Sequence, residues 1–201
     1  MKSNLALGFT LVELLVTVAI IGISLTLGVP AFKDTIRNSV LTSVINEFVA
    51  SLNFARSEAV KRGVFVTVRK TNTSSDDAVW GSGWEGGWQV FTDVNSNGTL
   101  NSPDDQVLRV HEPLRSNLTL RGNHNFINRI SYKSSGESNN IGSFALCDTS
   151  VSGAPTKRTS RLLTVSILGR ITQATDSDGD GFLEKIDSEG NLSQLTSCTN
   201  P

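Results

Sequence analysis

Five acidic side chains near the C-terminal end stand at the spacing of a loop that wraps a hard cation. Counting from Asp176, oxygen donors fall at positions one, three, five, nine and twelve as Asp176, Asp178, Asp180, Glu184 and Asp187, with Gly181 at position six. Calcium needs many oxygens converging on one point, and a glycine in the middle permits the sharp turn this requires. The twelfth residue is Asp rather than a bidentate Glu, and no clear helix precedes the loop, so this is not an EF-hand. Asp93, Asn95, Asn97 and Asp104, with Gly98 at position six, repeat the spacing with fewer charges and form a weaker candidate. The competing reading for both stretches is a solvated turn, since Asp, Asn and Gly are also the residues that turns prefer.

Other reactive side chains are sparse. His111 and His124 have no cysteine or acid at ligand or triad spacing and are read as surface residues. There is no Gly-x-Ser-x-Gly, no phosphate loop and no pair of catalytic acids in context. No enzyme activity and no required cofactor are therefore expected; calcium is the one candidate ligand. Trp80, Trp84 and Trp88 cluster in a Gly-rich stretch. Trp88 is expected in the core, with Trp80 and Trp84 packed over the head or against another protein.

Glu13 is the most unusual acid. It lies inside an apolar run from Phe9 to Val29. About 20 such residues suffice to cross a bilayer, and a carboxylate within such a span is costly unless paired or functional. The run is preceded by Met1 to Gly8, with one positive charge at Lys2. A secretory signal places its small-residue cleavage site after the apolar core; here Gly8 stands before it.

Length and charge bound the rest. The 201 residues allow one compact domain plus an extended helix, and the formal charge of −1 gives no global attraction to nucleic acid. The two cysteines, Cys147 and Cys198, are widely spaced and lie outside any C-x-x-C motif. In an extracytoplasmic setting they are expected to form one disulfide.

The elements that must position these groups follow from periodicity. Ile36, Val40, Val44, Phe48, Leu52, Ala55 and Ala59 recur at spacings of three and four, with charged residues off that stripe. Pro30 is expected to kink the helix rather than end it. Gly63 follows Lys61 and Arg62 as a C-cap. A helix over residues 9–62 would be about 80 Å long at the standard rise. Beyond Gly63 the period becomes two: strands are expected at 64–68, 88–91, 106–110, 118–120, 129–132, 143–147 and 161–168, separated by polar turns. The fold class is α+β, a long N-terminal helix packed on an antiparallel, sandwich-like β-rich head over residues 63–201.

Gly8-Phe9-Thr10-Leu11-Val12-Glu13 resembles the class III leader of type IV pilins and type II secretion pseudopilins. That resemblance implies a leader over residues 1–8 that a prepilin peptidase removes between Gly8 and Phe9. It further implies N-methylation of Phe9, a transmembrane stalk over 9–29, and a Glu13 that meets the N-terminal amine of a neighbouring subunit. The stretch Asn53 to Arg62, then Gly87 to Asp93 with Asn97-Gly98, then Phe144 to Asp148, and Leu163 to Arg170 with a late cysteine, is similar to the GspH/FimT pseudopilins. The resemblance implies a minor subunit near the filament tip or in initiation, held in the inner membrane with its head in the periplasm, and partnered by other pilins. It leaves pilus and secretion machinery equally open. Gly169-Arg170-Ile171-Thr172 sits where some FimT proteins carry Gly-Arg-x-Arg, implicated in DNA binding during uptake. Here Thr172 replaces the second arginine, which weakens attraction to phosphates; Lys157, Arg158 and Arg161 are the residues that would compensate. A DNA-binding minor pilin contacting DNA through Arg170 is the alternative function.

Overall fold

The computed structural model describes residues 9–71, 83–101, 103–186, 192–199 and 201; the side chains of 27–31, 185, 186 and 192 lie outside the description. Gly8, Trp80 and Asp187 lie outside the described residues, as does the side chain of Pro30. The chain divides into two compact units, Met1–Asn38 and Ser39–Pro201.

One helix, α1, runs over Leu11–Arg62 and so contributes to both units. It ends where Gly63 takes a left-handed φ of 72° and donates its amide to the Ala59 carbonyl at 3.0 Å. Within the second unit its buried face is Leu41, Ile45, Phe48, Leu52, Ala55 and Ala59, all fully buried. This corrects the expected stripe. Val40 and Val44 are only partly buried, and Ile36, in the first unit, is 57% exposed. A step of four residues advances about 40° around a helix, so the series 36, 40, 44, 48 walks off any fixed face. Alternating steps of four and three hold the face and place Leu41 and Ile45 inward.

Two antiparallel four-stranded sheets form the rest. The first has the order β3-β2-β1-β5, from β1 (Phe65–Lys70), β2 (Trp88–Asp93), β3 (Val107–His111) and β5 (Arg129–Tyr132). The second has the order β4-β6-β7-β8, from β4 (Leu118–Gly122), β6 (Gly142–Asp148), β7 (Ser160–Val165) and β8 (Ile171–Gln173). The hairpin of β9 (Glu184–Ile186) and β10 (Leu192–Gln194) follows. All seven expected strands are present within a few residues. β7 stops at Val165 rather than reaching Leu168, because a turn closed by Gly169 at φ 74° lifts Ile167 and Leu168 to the surface.

One apolar cluster joins the α1 stripe to the inner faces of both sheets, through Val66, Val68, Val90, Ile130, Leu120, Leu146 and Leu163 among others. Its centre is aromatic. The Phe48 ring meets Trp84, Trp88 and Phe144 edge-on at centroid distances of 5.5, 5.0 and 4.9 Å. Trp84 is therefore core, against expectation. Its indole N–H donates to the Phe126 carbonyl at 3.0 Å, which makes a polar tip burial-compatible. His111 is also drawn in: its ring stacks on Trp88 at 3.8 Å, and its Nε2 lies 2.9 Å from a Glu47 carboxylate oxygen on α1. His124 is exposed, as expected.

Strand alternation gives β6 a second apolar face. Phe144 and Leu146 point into the main core, while Ala145 and Cys147 join Leu162, Leu183 and Leu195 in a smaller cluster beneath the C-terminal segment. The disulfide Cys147–Cys198 fastens that segment to β6. Closing a loop of this size contributes about 3–4 kcal/mol in the chain-entropy account.

Candidate functional site

The start of α1 is closed by Thr10 and Glu13 acting on each other. Thr10 Oγ1 accepts from the Glu13 amide at 3.2 Å, and Glu13 Oε2 accepts from the Thr10 amide and hydroxyl, each at 3.0 Å. This reciprocal arrangement is a capping box; it satisfies amides that the first helical turn leaves without partners. The signal for this cap in the sequence is the Thr-x-x-Glu spacing of Thr10 and Glu13 before an apolar run. Among the described residues, Glu13 Oε1 takes no hydrogen bond. From Leu11 to Leu25 the large apolar side chains are 52–74% exposed all around the helix. Among the described residues no helix is long and apolar enough to cross a membrane. The side chains of 27–29, which complete the apolar run of the sequence, are outside that description.

The acidic loop between β8 and β9 gathers four of its five expected donors. Ligand oxygens of Asp176, Asp178, Asp180 and Glu184 all lie within 4.8 Å of one another; Asp187 lies outside the described residues. The loop backbone is shaped by the same oxygens. Asp176 accepts from the amides of Gly179 and Gly181 at 2.8 and 3.1 Å, Asp178 from Asp180 at 3.0 Å, and Asp180 from Phe182 at 2.9 Å. Glu184 is buried and accepts from the Ser177 amide at 3.0 Å. Lys157 Nζ lies 2.6 Å from Asp176 Oδ2, and the Lys157 amide donates to the Gly181 carbonyl at 2.9 Å. The lysine hydrogen bond is the main reason the Asp176 carboxyl is held below its ordinary range. Any cation in this loop would thus replace an ammonium already touching one oxygen.

The loop after β2 is arranged differently. Asp93 is fully buried and accepts from Thr67 Oγ1 at 2.8 Å and from the amides of Asn97 and Gly98 at 3.0 and 2.8 Å. Asn95 Oδ1 accepts from the Asn97 amide, and Asn97 Oδ1 from the Thr99 amide. Asp104 is exposed. Asp93 and the two asparagines are turned to N–H and O–H donors of their own surroundings, as in a turn built by Asx residues.

Arg170 is exposed at the turn between β7 and β8, beside Gly169. The three cations expected to accompany it lie elsewhere in role. Lys157 belongs to the acidic loop. Arg161 donates to the carbonyls of Lys157 and Ser160 at 2.8 and 2.7 Å and to Thr42 Oγ1 on α1 at 3.1 Å, so its head is fixed within the protein. Arg158 alone of the three is an exposed side chain with no such tie among the described residues. The residue the sequence did not single out is Arg56. From α1 it donates to the Gly136 carbonyl at 2.8 Å and to the Leu168 carbonyl at 2.9 Å, joining the β5–β6 and β7–β8 turns to the helix.

Comparison with known proteins adds four findings. The profile of the family described as type II transport protein GspH matches residues 44–169, and that of the prokaryotic N-terminal methylation motif matches residues 4–29. Fimbrial protein Q of Moraxella bovis is 45% identical over 47 residues, which is 23% of this chain and 30% of that protein. The match thus spans under a third of the relative's length. The crystal structure of the type IV minor pilin FimU of Pseudomonas aeruginosa superposes with a TM-score of 0.51 at 25% identity, covering 67% of this chain and 88% of that one.

Proposed function

Because the chain belongs to the GspH family of pilin-like subunits, we propose that it is a minor subunit of a type IV pilus or a type II secretion filament. In this reading it is anchored in the inner membrane by its N-terminal apolar run, with the head in the periplasm, and joins the filament near the tip or at initiation. The family and the fold are those of structural pilins. The observation that carries the proposal is the exposed apolar surface from Leu11 to Leu25, headed by Glu13. A surface of that extent is not kept in water; it calls for lipid or for other helices. Lipid satisfies it before assembly and neighbouring stalks satisfy it afterwards. Glu13 then faces the methylated amine of Phe9 on the next subunit, because either charge alone is far costlier to bury than the two together.

Processing tests this first. Mass spectrometry of the mature chain is expected to show a start at Phe9. Gly8→Val is expected to block cleavage, since the peptidase must accept the residue before Phe9. An intact Met1 to Gly8 leader on filament-associated protein would sink the proposal.

A bound calcium ion in the Asp176–Glu184 loop belongs to the same proposal. It is supported by four carboxylates within reach of one cation. At tenfold above the dissociation constant, a ligand confined to the folded state adds about 1.4 kcal/mol. Calcium is expected to raise the melting temperature of the purified full-length chain by a few degrees, on the order of that energy divided by the unfolding entropy. Asp178→Ala with Asp180→Ala is expected to remove the shift. No shift and no heat of binding in the wild type would reduce the loop to a turn neutralised by Lys157.

A further inference from the structure

We propose that the β7–β8 turn is a docking knob for an apolar, acid-rimmed surface on a neighbouring protein subunit. The inference deepens the filament reading and rests on it. Ile167 and Leu168 at the turn are 48% and 65% exposed, and Val60 of α1 is 55% exposed. They belong to one surface. A Cβ built on Gly136 would lie 3.2 Å from Val60 Cγ2, and one built on Gly169 would lie 2.2 Å from the Gly136 carbonyl oxygen. The helix end and both turns therefore abut.

The turn that carries this surface is held by several backbone hydrogen bonds. The Ser166 amide donates to the Arg170 carbonyl at 3.0 Å, Gly169 to Ser166 at 2.9 Å, and Ser138 to the Ile167 carbonyl at 2.9 Å. Arg56 holds the Leu168 carbonyl from the helix at 2.9 Å. With these backbone groups bonded, the turn presents two large aliphatic side chains to water. The backbone that carries them is already bonded in the free chain, which lowers the ordering cost of an association through them.

The rim gives the chemistry of the partner. The Arg170 side chain is exposed and takes part in no ion pair among the described residues, whereas nearby Lys133 is neutralised by Glu137 at 3.3 Å. The knob thus carries two aliphatics, a third on the helix and two cations without an acid partner among the described residues: Arg170 at the exposed rim, and Arg56, whose head is turned to the Gly136 and Leu168 carbonyls. Its complement is an apolar recess with a carboxylate at its edge. A nucleic-acid strand fits less well: stacking needs aromatic faces and phosphates favour several cations, and Thr172 stands where a second arginine would be.

The test uses the full-length chain expressed with its own filament proteins, with sheared filaments and detergent-solubilised complexes probed for it. Leu168→Asp, and Ile167→Asp with Leu168→Asp, are expected to lower co-isolation by tenfold or more, the size seen when a central interface residue is lost. Arg170→Glu is expected to lower it less. Val107→Asp, at an equally exposed valine on β3, is expected to leave it unchanged. Formation of the Cys147–Cys198 disulfide in each variant reports that the head has folded. Unchanged co-isolation of Leu168→Asp overturns the docking role while leaving the filament reading intact. Wild-type chain that co-isolates with no filament protein overturns both. If Leu168→Asp is neutral and Arg170→Ala abolishes salt-dependent binding of a DNA duplex, the turn is a phosphate contact and the proposal fails.

Discussion

Phe48→Ala is expected to destabilise the head by about 3–5 kcal/mol, the range for deleting a large aromatic from a packed core. Phe48 is fully buried on α1 and its ring meets Trp84, Trp88 and Phe144 edge-on, all within 5.5 Å between centroids. Those rings come from different segments: the stretch before β2, β2 itself, and β6 of the second sheet. Removing Phe48 therefore leaves a cavity at the point where helix and both sheets share a core. The rigid indoles around it cannot collapse into the gap, so the cost should sit at the upper end. Since a domain of this size has roughly 5–15 kcal/mol in total, the variant should lose much of its folded population on mild heating. Urea unfolding of the purified chain followed by tryptophan fluorescence measures it. Phe48→Leu should recover more than half of the loss, and a midpoint for Phe48→Ala within error of wild type would show that the aromatic cluster is not central to stability.

Glu13→Ala is expected to leave the chain inserted and processed but absent from filaments. The change makes the apolar run more apolar, so insertion is not impeded. It also removes the reciprocal cap with Thr10, a local loss of about 1 kcal/mol. In the proposed assembly the neighbour's amine would also lose its partner, and a charge left alone between packed helices costs more than a lost cap; that part falls only on assembly. Thr10→Ala separates the two: it removes the hydroxyl's part of the cap, leaves the Thr10 amide bond to Glu13, and keeps the carboxylate. The expected order in sheared filaments is wild type, then Thr10→Ala reduced a few-fold by the weakened cap, then Glu13→Ala near background. Equal loss in both variants would assign the defect to helix capping rather than to charge pairing between subunits.

Much of the site was written in local sequence. The Gly8 to Glu13 motif, the acidic donors with Gly181 at position six, and the two cysteines are all patterns of residue type and spacing. Glycine and carboxylate spacing survive folding because a loop of that kind is organised by its own backbone, as the bonds from Asp176 to Gly179 and Gly181 show. The strands were legible wherever one face is apolar and the other polar. Those that were missed, β8, β9 and β10, are three residues long each and exist only through pairing with β7 or with one another. Nothing in three residues encodes a ladder.

What tertiary structure alone decided concerns partners at long range. The helix stripe drifted to Leu41 and Ile45 because which face is inward depends on what it meets, not on apolarity at one spacing. Lys157 read as a free cation and proved to be the counter-charge of Asp176, nineteen residues on in sequence and 2.6 Å away. Trp84, expected over the head or against another protein, is core because the Phe126 carbonyl takes its N–H, and His111, expected at the surface, is half-buried because Glu47 and Trp88 supply a carboxylate and a stacking face. Arg56 gained its role only when the chain returned to place Gly136 and Leu168 beside it. The sequence by itself determined the filament-type N-terminus, the helix and the strand alternation, since each depends on neighbours within a few residues. Packing decided which charges are neutralised and which apolar side chains stay outside, because those outcomes depend on groups that only the closed fold brings together.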